Sequence, residues 1–283
     1  MSRAIRPGER PLGTAISRSV RAEPPKAERS TLTTRCVLMR EGRICEDCLG
    51  GIPWRGVVRG CYHRSRGASA AMASMLTLHR ALGTYRHKVA RYIALNEFCR
   101  AKLVQAGLPA DRLVVKPNFV DLPKAGDQPR DGFLYVGRLS AEKGIDTLAQ
   151  ASGLARTERI RVAGEGPESR RLDGLPGIER LGVLPGDEVR QALGSALALV
   201  VPSVCYESFP RVIVESMACA TPIIASRMGA LAELVEHGRT GLHFEPGDAE
   251  DLARQMRWAR AHPQDLRRMG EAARQAYEER FSP

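Results

Sequence analysis

The sequence has no apolar run that approaches the roughly 18 to 20 residues needed to cross a bilayer. Basic residues near its N-terminus are followed by no apolar core of a secretory signal. Its seven cysteines stand at irregular spacings, which argues against a disulfide framework and favours reduced thiols. These absences predict a cytoplasmic protein.

Positive charge is concentrated in the first half of the chain. Residues 1–130 hold 24 Lys and Arg against 10 Asp and Glu, whereas residues 131–283 hold 19 against 22. A basic half suits nucleic acid, anionic lipid headgroups or phosphorylated substrates, and equally a plain solvated surface, so charge alone does not choose a partner. The 283 residues, 43% of them hydrophobic, are enough for two modest domains.

Local patterns divide the chain into three parts. Residues 1–35 are rich in Arg, Pro, Ser and Glu and show no helical or strand periodicity, so we expect them to be disordered. Residues 36–130 hold periodic segments and end in a strand and a polar linker. Residues 131–283 are expected to form a separate domain.

The middle part contains one long helical pattern. Residues 68–94 place apolar side chains at mixed three- and four-residue spacings, which predicts an amphipathic helix interrupted near Gly83. Such a stripe usually faces a core, and a basic amphipathic helix can also lie on a membrane surface. Residues 112–118 predict a strand closed by Pro117.

The last part alternates short apolar runs with helical patterns. Apolar strands separated by helices indicate βαβ units with right-handed crossovers, hence an α/β fold with a parallel sheet covered on both faces. Ligands of such sheets bind beyond the carboxyl ends of the strands. The predicted strands are residues 133–137, 160–164, 178–182, 198–203, 222–226 and 241–245.

Two of these strand ends carry residues that suit a phosphate. Arg138 and Lys143 follow the first strand, and two cations at that rim can grip a diphosphate, although such residues on a loop are often only solvated. After the second strand, Gly164 and Gly166 flank Glu165 and permit close backbone approach to a ligand. The third glycine of a dinucleotide fingerprint is missing there.

The stretch YESFPRVIVE, residues 206–215, follows the fourth strand. Ser208 is the predicted N-cap of a helix, with Phe209 and Pro210 in the first turn. The free N–H groups and the dipole of this helix would point into the same crevice as the two cations, which favours a phosphate.

The same stretch holds two glutamates. Glu207 stays on the loop, while Glu215 falls about two turns into a largely buried helix, where a carboxylate must be paired or meet a polar ligand. The structural alternative makes Glu207 a turn residue and joins Glu215 to a neighbouring Arg.

Four segments resemble, in order, the motifs of the donor-binding domain of family 4 glycosyltransferases. They are FLYVGRLSAEKGIDTLAQA, VAGEGPE, YESFPRVIVESMACATPIIAS and GRTGLHFEPGDAEDLA, and they span most of residues 131–260. Members are retaining enzymes of the GT-B fold, with two facing Rossmann-like domains. The resemblance implies transfer of a sugar from a nucleotide diphosphate sugar to a saccharide or lipid-linked acceptor, as in polysaccharide biosynthesis.

The resemblance also implies roles for single residues. Arg138 and Lys143 would hold the diphosphate, Glu207 would lie by the donor sugar, and Glu215, the second member of the Glu-x7-Glu pair, would bind the ribose hydroxyls. Because these cations and a helix N-terminus would stabilise the leaving group, and residues 131–283 contain no Asp-x-Asp, no metal or other cofactor is expected in the donor site. The further implied donor contacts are Gly164, Glu165, Val183, Leu184, Ser208, Phe209 and Pro210.

Parts of the middle region, such as GRICEDCLGG and YIALNEFCRAKLVQAGLPADRLVVKPNFVD, are similar to late acceptor-domain segments of a bacterial polysaccharide-type subgroup. The early acceptor-domain strands have no counterpart, and AYEERFSP stops where members continue into a final helix. The resemblance therefore implies a complete or nearly complete donor domain, an incomplete acceptor domain and a chain truncated at both ends. Such a fragment can bind donor without transferring sugar.

Several alternatives stay open. A nucleotide-sugar epimerase shares the two-domain plan, but the acidic and histidine residues expected at its cleft are not found. Four cysteines, Cys36, Cys45, Cys48 and Cys61, can close a structural zinc site or be plain thiols. A zinc-stapled basic module for nucleic acid is thus a further hypothesis, but the sequence lacks a recognition-helix signature, and no nucleic acid is expected. The basic half favours peripheral contact with an anionic membrane.

Overall fold

The computed structural model describes residues 38–123, 126, 128–155 and 158–282. The predicted disorder of residues 1–35 therefore lies outside the described residues, as does Cys36. The described residues belong to one unit by their mutual contacts. None of the helices in the described ranges is both long and apolar enough to span a membrane.

The chain up to residue 123 consists of short elements. An antiparallel hairpin comes first, three helices follow, and a helix then connects two strands that pair in parallel. These elements are β1 (Met39–Arg40), β2 (Arg43–Ile44), α1 (Trp54–Arg59), α2 (Arg66–Ala81), α3 (Thr84–His87), β3 (Tyr92–Ala94), α4 (Glu97–Gln105) and β4 (Leu113–Val115).

The helical prediction for residues 68–94 is correct in its first part and wrong at its end. Helix α2 stops at Ala81, and Gly83 adopts a left-handed conformation that interrupts the helical path as expected. Residues 92–94, however, form strand β3, in which Ile93 pairs with Val114 of β4. This pairing joins residues far apart in sequence and overrides the local periodicity.

A six-stranded, entirely parallel sheet organises the rest of the chain, so the α/β prediction is confirmed. The strand order is β10-β9-β8-β5-β6-β7. All six predicted strands are present, within two residues at every boundary. They are β5 (Phe133–Val136), β6 (Ile160–Ala163), β7 (Ile178–Gly182), β8 (Ala198–Val201), β9 (Ile223–Ser226) and β10 (Gly241–Phe244).

Helices cover both faces of this sheet. In strand β5, Leu134 packs into one core with α-helical residues such as Ile213, and its neighbour Phe133 packs into the other core with residues such as Leu148. This alternation explains why the strands are apolar throughout. The helices are α5 (Ile145–Leu154), α6 (Gly186–Gly194), α7 (Arg211–Ala218), α8 (Gly229–Leu234), α9 (Ala249–Ala261) and α10 (Pro263–Arg280).

The last helix also holds the segment that joins the two parts of the chain. The hydroxyl of Tyr277, in α10, donates a hydrogen bond of 2.8 Å to the carbonyl oxygen of Val120. The N–H of Val120 in turn donates to the carbonyl oxygen of Phe281 at 3.2 Å. Residues that follow β4 are therefore anchored on the same core as the parallel sheet.

Candidate donor site at the carboxyl ends of the strands

The loops that leave β5, β6 and β7 are joined to one another at the carboxyl edge of the sheet. The N–H of Leu139 donates to the carbonyl oxygen of Glu165 at 3.0 Å, and the N–H of Gly164 donates to that of Gly182 at 2.6 Å. Backbone hydrogen bonds thus fix the loop that carries Arg138 against the loop that carries Glu165. The site rests on a rigid frame of neighbouring strands.

Gly164 and Gly166 allow these loops to pack. A Cβ on Gly164 would overlap the carbonyl oxygen of Gly137, and a Cβ on Gly166 would overlap that of Leu139. Gly164 also has a φ of 138°, which residues with a side chain rarely adopt. The close approach predicted for these glycines is therefore made by the protein's own backbone.

Lys143 and Glu207 form an ion pair at the centre of this edge. The Nζ of Lys143 lies 2.6 Å from Oε1 of Glu207, and the hydroxyl of Ser203 donates to the same oxygen at 2.6 Å. The Glu207 side chain is only 12% exposed and that of Lys143 30% exposed. Burial weakens solvent screening, so the pair interacts more strongly than a typical surface pair.

Ionisable groups beneath the pair respond to this charge. Burial, with the negative charge of Glu207 as a second cause, raises the pKa of the Cys205 thiol to about 12. Burial and the same carboxylate raise the pKa of Tyr135 as well. The thiol and the phenol therefore stay neutral at physiological pH and add no charge to the site.

Helix α7 begins two residues later than the sequence predicted. Its N-cap is Pro210, with no side-chain cap, so the prediction of Ser208 as N-cap and of Phe209 and Pro210 as first-turn residues is wrong. The physical reason is Pro210, because a proline disfavours the helical conformation at the residue before it and is itself extended here, with ψ of 107°.

The extended loop leaves a run of backbone donors without acceptors. Within the described ranges, no hydrogen bond is made by the N–H groups of Glu207, Ser208 and Phe209. The start of α7 follows directly and adds its positive dipole end. Unpaired N–H groups next to a lysine form a ready site for an anion.

The other predicted residues border this edge. Arg138 is exposed on the loop after β5, where its carbonyl oxygen accepts from the hydroxyl of Tyr135. Glu165 pairs with Arg180 at 3.2 Å. Val183 and Leu184 directly follow β7, and Val183 is 74% exposed, so its side chain is accessible to a ligand.

Glu215 lies one turn into α7, rather than the predicted two. Its side chain is 23% exposed and approaches Arg211 at 3.5 Å. Burial raises the pKa of Glu215, and the charge of Arg211 lowers it by a smaller amount. A carboxylate held in such a place is costly to the fold unless a ligand satisfies it.

The cysteines in the described part of the chain do not assemble the predicted zinc site. Cys36 lies outside the described residues, and the described residues contain no group of three or more His, Cys, Asp or Glu side chains placed to hold a metal ion. Cys45, Cys48 and Cys61 are free, in agreement with the reduced thiols that the spacing also allowed. The basic side chain of Arg59 lies beside Cys45, with Nη1 at 3.9 Å from Sγ.

Sequence patterns did not reveal three residues that the structure brings to this edge. The hydroxyl of Ser203 donates to Glu207, Asn96 connects α4 to the loop after β8, and Glu233 connects α4 to α8. Asn96 precedes a helical pattern and was recognisable as an N-cap, but its contact with residue 208 spans 112 positions. A local sequence pattern cannot predict a contact between residues so far apart in the chain.

Residues 130–261 match the model of the family described as "Glycosyl transferases group 1". Two curated proteins are similar to the chain. The sulfoquinovosyl transferase SQD2 of Arabidopsis thaliana is 32% identical over 161 residues, which are 54% of this chain and 31% of that protein. A glycogen synthase of Mycobacterium tuberculosis is 36% identical over 167 residues, which are 54% of this chain and 40% of that protein.

The fold is shared with solved glycosyltransferase structures. The structure of Anabaena HepE in complex with UDP-glucose superposes with a TM-score of 0.66 at 21% identity, over 83% of this chain and 67% of that one. The GT-B-like fold is thereby confirmed. The chain spans only 31% and 40% of the two curated relatives' lengths.

Proposed function

We propose that the protein binds a nucleotide diphosphate sugar at this edge and transfers the sugar to an acceptor with retention of configuration, as a family 4 glycosyltransferase of the bacterial polysaccharide type. One observation carries the proposal. The Lys143–Glu207 pair adjoins a run of unpaired N–H groups at the carboxyl end of β8, in a region that matches the glycosyltransferase family. The epimerase and the nucleic-acid module gain no support from these matches.

The chemistry follows from charge. Breaking the anomeric C–O bond develops positive charge on the sugar and further negative charge on the departing diphosphate. Lys143 uses one ammonium proton on Glu207 and has two more to donate to phosphate oxygens. Together with Arg138 and the N–H groups of the loop, it would stabilise the leaving group, and this set of donors needs no metal or cofactor.

The two glutamates take different parts in the proposal. Glu207 is held by Lys143 and Ser203 at the loop, where it would lie by the donor sugar. Glu215, half-buried farther along α7, would accept hydrogen bonds from the ribose diol. Val183 and Leu184 would contact the base, and Gly164 and Glu165 would line the diphosphate.

The acceptor side is proposed to include residues 36–130, with a saccharide or lipid-linked acceptor and peripheral contact with an anionic membrane from the cytoplasmic face. Trp54 and Val58, one turn apart on α1, and Leu78 and Leu82 at the end of α2 are more than half exposed, and Arg55 lies over the Trp54 ring. Exposed apolar groups beside cations suit an anionic lipid surface. Sedimentation with phosphatidylserine vesicles at low salt tests this, and a protein that stays in the supernatant would refute it.

The donor site is tested by calorimetric titration with UDP, GDP, UDP-glucose and GDP-mannose on the wild type, Arg138→Ala and Glu215→Gln. We expect binding of one nucleotide series, weakened in both variants. For Glu215→Gln, thermal stability provides a second measurement. Because its pKa is raised in the folded protein, the carboxylate costs stability as pH rises through that pKa, so Glu215→Gln should melt higher than wild type at pH 7.

This difference in melting temperature should disappear below pH of about 3, where Glu215 is protonated in both the folded and unfolded states. A variant that melts higher and binds donor more weakly identifies Glu215 as a ligand-binding group. If Glu215→Gln bound donor as tightly as the wild type, the residue would be structural. Absence of all nucleotide binding in the folded wild type would refute the proposed function.

A further inference from the structure

The N-terminus of helix α4 is capped by two side chains, one from the residue that precedes the helix and one from a distant helix. The carboxylate of Glu233, on α8, accepts hydrogen bonds from the N–H of Glu97 at 3.0 Å and of Phe98 at 2.8 Å. The side-chain oxygen of Asn96 accepts from the N–H of Cys99 at 2.7 Å. The first three N–H groups of α4 are therefore satisfied.

Asn96 makes a second contact that a cap does not require. Its Nδ2 donates a hydrogen bond of 2.7 Å to the carbonyl oxygen of Ser208, in the loop with the unpaired N–H groups. These two neighbours fix the orientation of the Asn96 amide. The N–H of Cys99 needs the amide oxygen as its acceptor, and the carbonyl of Ser208 needs the amide nitrogen as its donor. The thiol of Cys99 lies 3.4 Å from the same carbonyl oxygen, and Asn96 is only 3% exposed.

The residue type fits both contacts. Asp, Ser and Asn are about equally good N-caps, so capping alone does not select an amide. Among these three, only Asn combines an acceptor for Cys99 with an N–H donor long enough to reach Ser208. A second contact joins α4 to the same loop, because the rings of Phe98 and Tyr206 pack edge to face with centroids 4.8 Å apart.

Because the peptide bond is planar, the contact with the Ser208 carbonyl also sets the direction of the next N–H group. In a planar trans peptide, the carbonyl and the following N–H point in opposite directions. The Ser208 carbonyl points to α4, so the N–H of Phe209 points away from α4. That N–H has no acceptor in the described part of the chain.

We propose that Asn96 is a positioning residue for the donor site: by holding the Ser208 carbonyl, it aims the Phe209 N–H at the diphosphate of the nucleotide sugar. The inference rests on the proposed function and adds a group from outside the donor-binding motifs. It assigns to the middle part of the chain a direct role in preparing the loop. Because the N–H group of Phe209 is already oriented before the nucleotide binds, no free energy is spent on reorienting it.

The test compares UDP with UMP on the wild type and Asn96→Asp. This variant keeps the shape of the side chain and the oxygen that caps α4, and it replaces the donor to Ser208 with an acceptor. We expect the Kd for UDP to rise by about 10-fold or more, as for loss of a hydrogen bond to a charged group. The Kd for UMP, which lacks the distal phosphate, should stay within about 2-fold.

Asn96→Ser provides a second variant in case an added carboxylate disturbs the fold, because serine caps the helix but is too short to reach Ser208. The matched control is Asp248→Asn, the reverse exchange at the N-cap of α9, whose side chain accepts from the N–H of Asp251. It should change neither Kd.

The outcomes separate the two proposals. A wild type that binds neither UDP nor UDP-glucose refutes the proposed function, and the positioning role falls with it. A wild type that binds UDP, with both Asn96 variants binding UDP equally well, overturns the positioning role alone. Equal losses for UDP and UMP would also overturn it, because they would indicate a general structural effect.

Discussion

Replacing Lys143 with alanine is expected to weaken UDP-glucose binding by about 100-fold, the largest effect of any single side chain in the site. The change removes the ammonium that neutralises Glu207 and leaves this carboxylate, 12% exposed, facing the incoming phosphates. Lost attraction and new repulsion act in the same direction. Calorimetric titration of the folded variant measures the effect.

Two controls make this expectation specific. Lys88→Ala removes an exposed lysine that follows α3, and it should leave the Kd unchanged. Lys143→Ala combined with Glu207→Gln removes the repelling charge, so the double variant should recover part of the binding that the single variant loses. If Lys143→Ala bound UDP-glucose with the affinity of the wild type, the ion pair would be a structural feature and the diphosphate would lie elsewhere.

Gly164→Ala is expected to lower the free energy of unfolding by about 2–5 kcal/mol, through overpacking and a strained φ together. The added Cβ would overlap the carbonyl oxygen of Gly137, which is part of the backbone and has no rotamer by which to move away. Chemical denaturation of the variant and the wild type gives the difference.

Gly153→Ala is the matched control for this substitution. Gly153 lies in α5, where an added Cβ would meet no atom within 4 Å. Because alanine favours a helix over glycine, this variant should gain about 0.5–1 kcal/mol. If Gly164→Ala were as stable as the wild type, the loops after β5 and β6 would not be packed as described.

The parallel sheet was predictable because its strands are short, apolar and separated by helices. Each strand contributes alternate residues, such as Phe133 and Leu134, to two cores. Because both faces of the strand are buried, its sequence is apolar without interruption. The pattern was less informative in the first half. Strand β3 has three residues, and only its pairing with β4 distinguishes it from the end of a helix.

The site was predictable only in part, for a similar reason. Residues at strand ends, such as Lys143 and Glu207, were identified because parallel strands bring their carboxyl ends to one edge. The predicted start of α7 is two residues too early because Pro210 disfavours the helical conformation at Phe209. The hydrogen bond from Asn96 to Ser208 depends on how α4 docks, which no local sequence pattern encodes.

The most direct test of a nucleotide-sugar site is a crystal structure of the protein with UDP bound. We expect the diphosphate at the unpaired N–H groups of Glu207, Ser208 and Phe209, within hydrogen-bond distance of Lys143, with the ribose at Glu215. A diphosphate bound away from the carboxyl ends of β5 and β8, or a site that stays empty at saturating UDP, would contradict this expectation.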